Sequence, residues 1–125
     1  IDLLAVNSGE SRRLAYRDQA TDGPSTPRWH FLAEALQWGD EILRAAVPCD
    51  LLVVDELGPL ELVRGEGWQS GLAVVDSHAY RFAVIVVRPS LLTVALETWP
   101  RAKVVHISAP DQAADLVRRI LEESG

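Results

Sequence analysis

Leu51-Leu52-Val53-Val54-Asp55-Glu56-Leu57-Gly58-Pro59-Leu60-Glu61-Leu62 is the stretch on which the reading of this chain turns. Its first four residues are apolar without alternation, the pattern of a central parallel strand buried on both faces. The next two are acids, so the strand delivers two carboxylates to its carboxyl end. In open α/β sheets that edge is where ligands bind. Successive strand residues point to opposite faces, so Asp55 and Glu56 must do different work. In a phosphoryl-transfer site the first would help hold Mg²⁺, usually through water, and the second would orient and deprotonate an attacking water. The same acids would also suit a solvated turn or a helix cap.

Two further apolar runs match the first: Arg81 to Val87 (RFAVIVV) and Ala102 to Ile107 (AKVVHI). Among the three runs the spacing predicts helices from about Gly67 to Ser77 and from Ser90 to Trp99, the second bounded by Pro89 and Pro100. Asp111 to Glu123 reads as a closing helix, with Ser108 as candidate cap, Arg118 and Arg119 late, and Gly125 after it. Its inner face is Ala113, Leu116, Val117, Ile120 and Leu121. Upstream, Trp29 to Ala46 has a wide apolar face and a narrow polar stripe of His30, Glu34, Gln37, Glu41 and Arg44, the mark of a largely buried helix. Pro48 ends it. Asp18 to Arg28 is a loop by its Asp22-Gly23-Pro24-Ser25-Thr26-Pro27 content. Ile1 to Val6 and Arg12 to Arg17 flank Asn7-Ser8-Gly9-Glu10-Ser11, as in a β-hairpin. The expected fold class is α/β: a three-layer α/β/α arrangement with a mostly parallel sheet, right-handed crossovers and an N-terminal β-hairpin, in one domain spanning residues 1–125.

Composition bounds the partners. With 125 residues and 48% hydrophobic content, the chain can bury one modest core. Eighteen acids against 12 basic residues give a net charge of -6, which argues against nucleic acid as a partner. Apolar runs of a few residues predict no membrane span, and the first residues show no signal peptide. The single Cys49 cannot form an internal disulfide, so a cytoplasmic setting is expected. The absence of methionine is expected of a processed chain or a piece of a longer one.

LLVVDELGPLEL resembles the Walker B segment of a P-loop nucleoside-triphosphatase family that includes the cancer-related nucleoside triphosphatases. That segment reads as an apolar strand followed by Asp-Glu-Ile/Leu-Gly-x-Met/Leu-Glu-Leu. Asp55, Glu56, Gly58, Leu60, Glu61 and Leu62 match it, and the order of elements along the rest of the chain is similar. The resemblance implies a P-loop NTPase-like fold and Mg²⁺-dependent hydrolysis of a nucleoside triphosphate, with Asp55 as the metal-associated acid and Glu56 as the catalytic base. Arg88, at the end of the second apolar run, would face the same edge and could contact a γ-phosphate; a surface arginine before a helix is the plainer alternative. Glu61 matches a family position without an assigned role, beyond capping or bracing the adjoining segment.

One departure stands out. A phosphate loop needs G-x-x-x-x-G-K-[ST], and the only lysine, Lys103, lies inside an expected strand. In the family that loop precedes the hairpin, and its strand lies between those matching RFAVIVV and AKVVHI. The chain is therefore expected to be incomplete and inactive alone, with those two strands bridged by an upstream strand, paired directly, or bridged by another chain, a possible homo-oligomer through the exposed sheet edge. Two other readings stay open. Corrinoid adenosyltransferases also carry an apolar strand ending Asp-Glu-Leu, and the lone lysine suits a degenerate, non-catalytic binding or assembly module. His106 is expected to be a hydrogen-bonded structural residue, and the four tryptophans to be packing residues. His30 and His78 lack metal-ligand spacing, so no zinc is expected.

Overall fold

A computed structural model describes residues 1–124; Gly125, the expected residue after the last helix, lies outside them. The chain opens with β1 (Asp2–Leu4) and β2 (Ser11–Arg13), an antiparallel hairpin with Asp2 opposite Arg13 and Leu4 opposite Ser11. Its turn closes through Ala5 N–H to Glu10 C=O and Gly9 N–H to Ala5 C=O, both 2.8 Å. A second antiparallel pair, β3 (Ala15–Tyr16) with β4 (His30–Phe31), was not expected. It forms because the Asp18–Arg28 loop folds back on itself. Phe31 N–H bonds Pro24 C=O at 3.0 Å, and Leu32 N–H bonds Leu14 C=O at 2.9 Å.

Those bonds correct the start of the first helix. Residues 29–32 have the right periodicity for a helix, but three of their amides, those of Trp29, Phe31 and Leu32, are committed to the loop and to the β3 side. Helix α1 therefore runs Ala33–Ala45, and Asp22 Oδ1 accepts the Ala33 N–H at 3.1 Å. Its buried Ala35 and Leu36 join Leu14 and Ala15 in one core cluster, with Trp29, Phe31 and Trp68 against it. Gly39 is buried because the Trp68 indole occupies the space a Cβ would fill.

The second core cluster is built on β5 (Cys49–Val54) and β6 (Tyr80–Ile85), a parallel pair in which Leu52 lies beside Ala83 and Val54 beside Ile85. Leu52 and Val54 pack with Leu57, Val74 and Val75. The two valines come from α3 (Gln69–Asp76), which also lies against α1. Burying side chains of this size contributes about 1.5–3 kcal/mol each. Short α2 (Pro59–Leu62) follows β5, and a 3₁₀ turn (Pro89–Leu91) leads into α4 (Leu92–Thr98). α5 (Pro110–Ser124) ends the described chain.

Mixed helices and small sheets with one parallel pair make an α/β arrangement, but the sheet differs from expectation in two ways. β5 is covered on one face only. Leu51 and Val53 are 50% and 56% exposed, and the register puts Phe82 and Val84 beside them on the same face. Residues 102–107 form no strand among the described residues, because a strand needs a partner edge and β6 is paired with β5 alone. His106 is accordingly exposed rather than a buried structural residue. α5 half-buries Ala113, Leu116 and Ile120, whereas Val117 and Leu121 of its expected inner face are exposed. Ser108 does not cap it by its hydroxyl; its backbone N–H donates to Gln112 Oε1 at 2.7 Å. No helix among the described residues is long and apolar enough to cross a membrane.

Tyr80, at the start of β6, donates its hydroxyl to Val75 C=O at 2.6 Å. Burial first, and the Asp76 carboxylate second, push its pKa above the ordinary 10.0. The folded chain keeps this proton at pH values where the unfolded chain has lost it. Stability is therefore unaffected below about pH 10 and falls as pH rises through the raised value. In urea unfolding followed across that alkaline window, Tyr80→Phe should lose stability less steeply than the parent. Parallel pH slopes would show that burial does not bias the phenol.

Candidate functional site

The carboxyl end of β5 is pinned to β6 by one residue. Val86 N–H bonds Val54 C=O at 3.0 Å, and Leu57 N–H bonds Val86 C=O at 3.1 Å. Asp55 and Glu56 are the two residues between those anchors, and both are exposed. Leu57, by contrast, is fully buried and fixes the exit of the strand. Glu56 has φ 71, the left-handed region that few residues other than glycine adopt. Thus the turn that lets Leu57 dive into the core is made at the glutamate itself.

The two acids differ in their surroundings. Glu56 Oε1 accepts from Arg88 Nε at 2.5 Å, with the glutamate and arginine side chains 44% and 62% exposed. Asp55 makes no side-chain hydrogen bond or ion pair among the described residues. Its carboxylate is a hard oxygen donor open to solvent. No group of three or more His, Cys, Asp or Glu among the described residues could hold a metal by itself. A single carboxylate still suits Mg²⁺, which keeps several waters and takes only one or two protein carboxylates beside phosphate oxygens. Arg88 is held in extended conformation, φ -68 and ψ 146, ahead of Pro89, as the proline ring requires of its predecessor. The structure therefore brings Glu56 and Arg88 together and leaves Asp55 apart from both.

Glu61 has a structural position. It is 8% exposed, and its Oε2 accepts the Gly58 N–H at 3.0 Å while Oε1 accepts the Trp68 N–H at 2.9 Å. One carboxylate thus caps the first turn of α2 and ties down the loop that leads to α3, in the manner of the glutamate of a capping box. The sequence allowed Glu61 to cap or brace the adjoining segment; it did not single out Trp68 as the braced residue, which follows the left-handed turns at Gly65 and Gly67. The Glu56–Arg88 pair was also unforeseen. Its signal was available in the equivalence of the two strand ends, since Val54 lies beside Ile85.

Beyond Arg88 the rim opens into a groove of about 910 Å³. It runs along Phe82 to Val87, on β6 and just past its end, and along Ala102 to Ser108, with Trp99 and Leu116 also lining it. The apolar segments singled out in the sequence thus face a common space without touching as a ladder. Lys103 is near this space but far from any glycine-rich loop, and pairs with Glu123 at 3.9 Å.

Gly67→Ala tests the brace. Gly67 has φ 68, and an added Cβ would run into the Glu61 carboxylate. The substitution should cost about 2–4 kcal/mol in urea unfolding, from left-handed strain plus loss of the carboxylate's bonds. Gly9→Ala, with φ 73 and nothing near its Cβ, should cost about 1–2 kcal/mol, the backbone component alone. Equal losses would refute the collision.

Neither a family model nor a solved structure matches the chain. Over 122 residues, 95% of this chain and 69% of the relative, it is 25% identical to the nucleoside-triphosphatase THEP1 of Caldivirga maquilingensis. That similarity relates the chain to a nucleoside-triphosphatase.

Proposed function

We propose that these residues are the Walker B portion of a Mg²⁺-dependent nucleoside-triphosphate hydrolase, with Glu56 activating the attacking water and Asp55 holding the metal. The observation that carries the reading is the pair of exposed acids at the carboxyl end of β5, pinned on both sides by Val86. The similarity to a nucleoside-triphosphatase supports it. Magnesium, when bound, neutralises phosphate charge. Asp55 would hold it through water, and Glu56, carried on the left-handed turn just past the strand, would orient and deprotonate the water that attacks the terminal phosphate. Arg88 stands at the same rim, in contact with Glu56.

The chain has no glycine-rich loop ending in lysine, so it lacks the phosphate cradle on which such transfers depend. We assign that cradle to a segment outside these 125 residues, whose strand would occupy the groove between β6 and residues 102–107. Such a strand would satisfy the free backbone groups of β6, and a helix following it would cover Leu51 and Val53. The same free edge favours one alternative, an assembly module in which a second copy supplies the strand.

In the full-length protein, Glu56→Gln should cut phosphate release to a small residual rate while Mg-ATP binding persists. Undiminished turnover in that variant would remove Glu56 from the reaction. Calorimetry of the 125-residue chain with Mg-ATP should show no binding. Tight binding there would mean that the phosphates are held without the proposed loop.

A further inference from the structure

We infer that Arg88 is a positioning residue for Glu56, acting through that carboxylate rather than on the nucleotide. The inference rests on the proposed role of Glu56 and deepens it. Three features carry it. The backbone on either side of Glu56 is fixed by Val86, yet the side chain springs from a left-handed turn and is 44% exposed. A glutamate so placed has free χ angles, and a carboxylate that wanders cannot hold a water in line. Arg88 removes that freedom at the tip, because its Nε engages Oε1. The hydrogen bond lies on Oε1, and the side of the carboxylate carrying Oε2 is the one on which a water would be held.

Arg88 is itself placed by the chain rather than by chance of rotamer. Pro89 keeps it extended, and its C=O accepts the Leu91 N–H at 2.9 Å to start the 3₁₀ turn. It follows Val86 by two residues, so one short segment fixes both the backbone and the side chain of the catalytic acid. The guanidinium is planar and rigid, so its Nε–H holds Oε1 along a more defined direction than a freely rotating ammonium could. The pair is solvent-exposed and adds little to folding, so its loss should be read in turnover rather than in stability.

The test uses the full-length protein. Arg88→Ala should lower kcat by about tenfold to a hundredfold while the Kd for Mg-ATP moves by less than about threefold. Arg88→Lys should restore part of the lost kcat. With Glu56→Gln already in place, Arg88→Ala should change neither the residual rate nor Kd, because a residue acting through another has nothing left to act on. Weakening of Mg-ATP binding by about tenfold or more in either background would show that Arg88 serves a phosphate, and would overturn the inference. So would an unchanged kcat in Arg88→Ala. Full turnover in Glu56→Gln would fell the underlying reading as well, and that result is separate from any measured at Arg88.

Discussion

Two hydrogen bonds at Val86 hold this structure's most informative residues in place. Its N–H donates to the Val54 carbonyl and its C=O accepts the Leu57 amide, so the parallel ladder continues past the strand ends and grips the chain across Asp55 and Glu56. Leu57 can then be wholly buried although its two predecessors are in water. If this grip were absent, the acids would sit in an ordinary mobile loop. Because it is present, a left-handed residue is tolerated at Glu56, where strain at about 1–2 kcal/mol is offset by burial of the next side chain.

The second cluster of fixed groups is downstream. Glu61 joins the start of α2 to the amide of Trp68, and Trp68 in turn packs on Gly39 of α1. A single chain of contacts thereby connects the acid-bearing turn with the N-terminal core. α3 serves both sides, since Val74 and Val75 face β5 while Ser70 N–H bonds Asp40 Oδ1 at 3.0 Å on α1.

Much of the order of elements was legible because the signals were local. The hairpin around Asn7–Ser11, the body of α1, the β5 run and the terminal helix all follow from turn chemistry and periodicity. The parts that were not legible depended on partners. Trp29 to Leu32 has helical spacing, yet bonds to Pro24 and Leu14 draw it into another pairing. Leu51 to Val54 is uniformly apolar, which could not reveal that one face would be bare. The AKVVHI run has every attribute of a strand except a neighbour. At the site, the positions of Asp55 and Glu56 followed from the strand ending, whereas the Arg88 contact joins residues 32 apart in sequence and the second bond of Glu61 needs the turn that brings Trp68 back to it.

The shape of the groove has a consequence for how the parts of the molecule cohere. β6 and residues 102–107 each offer an apolar flank, but α5 and the segment before it bury little against the rest. An inserted strand would hydrogen-bond with both neighbours at once, so seating it would fuse a loosely attached C-terminal region to the sheet in one all-or-none step. On the proposed reading, acquisition of the nucleotide cradle and consolidation of the architecture would then be coupled.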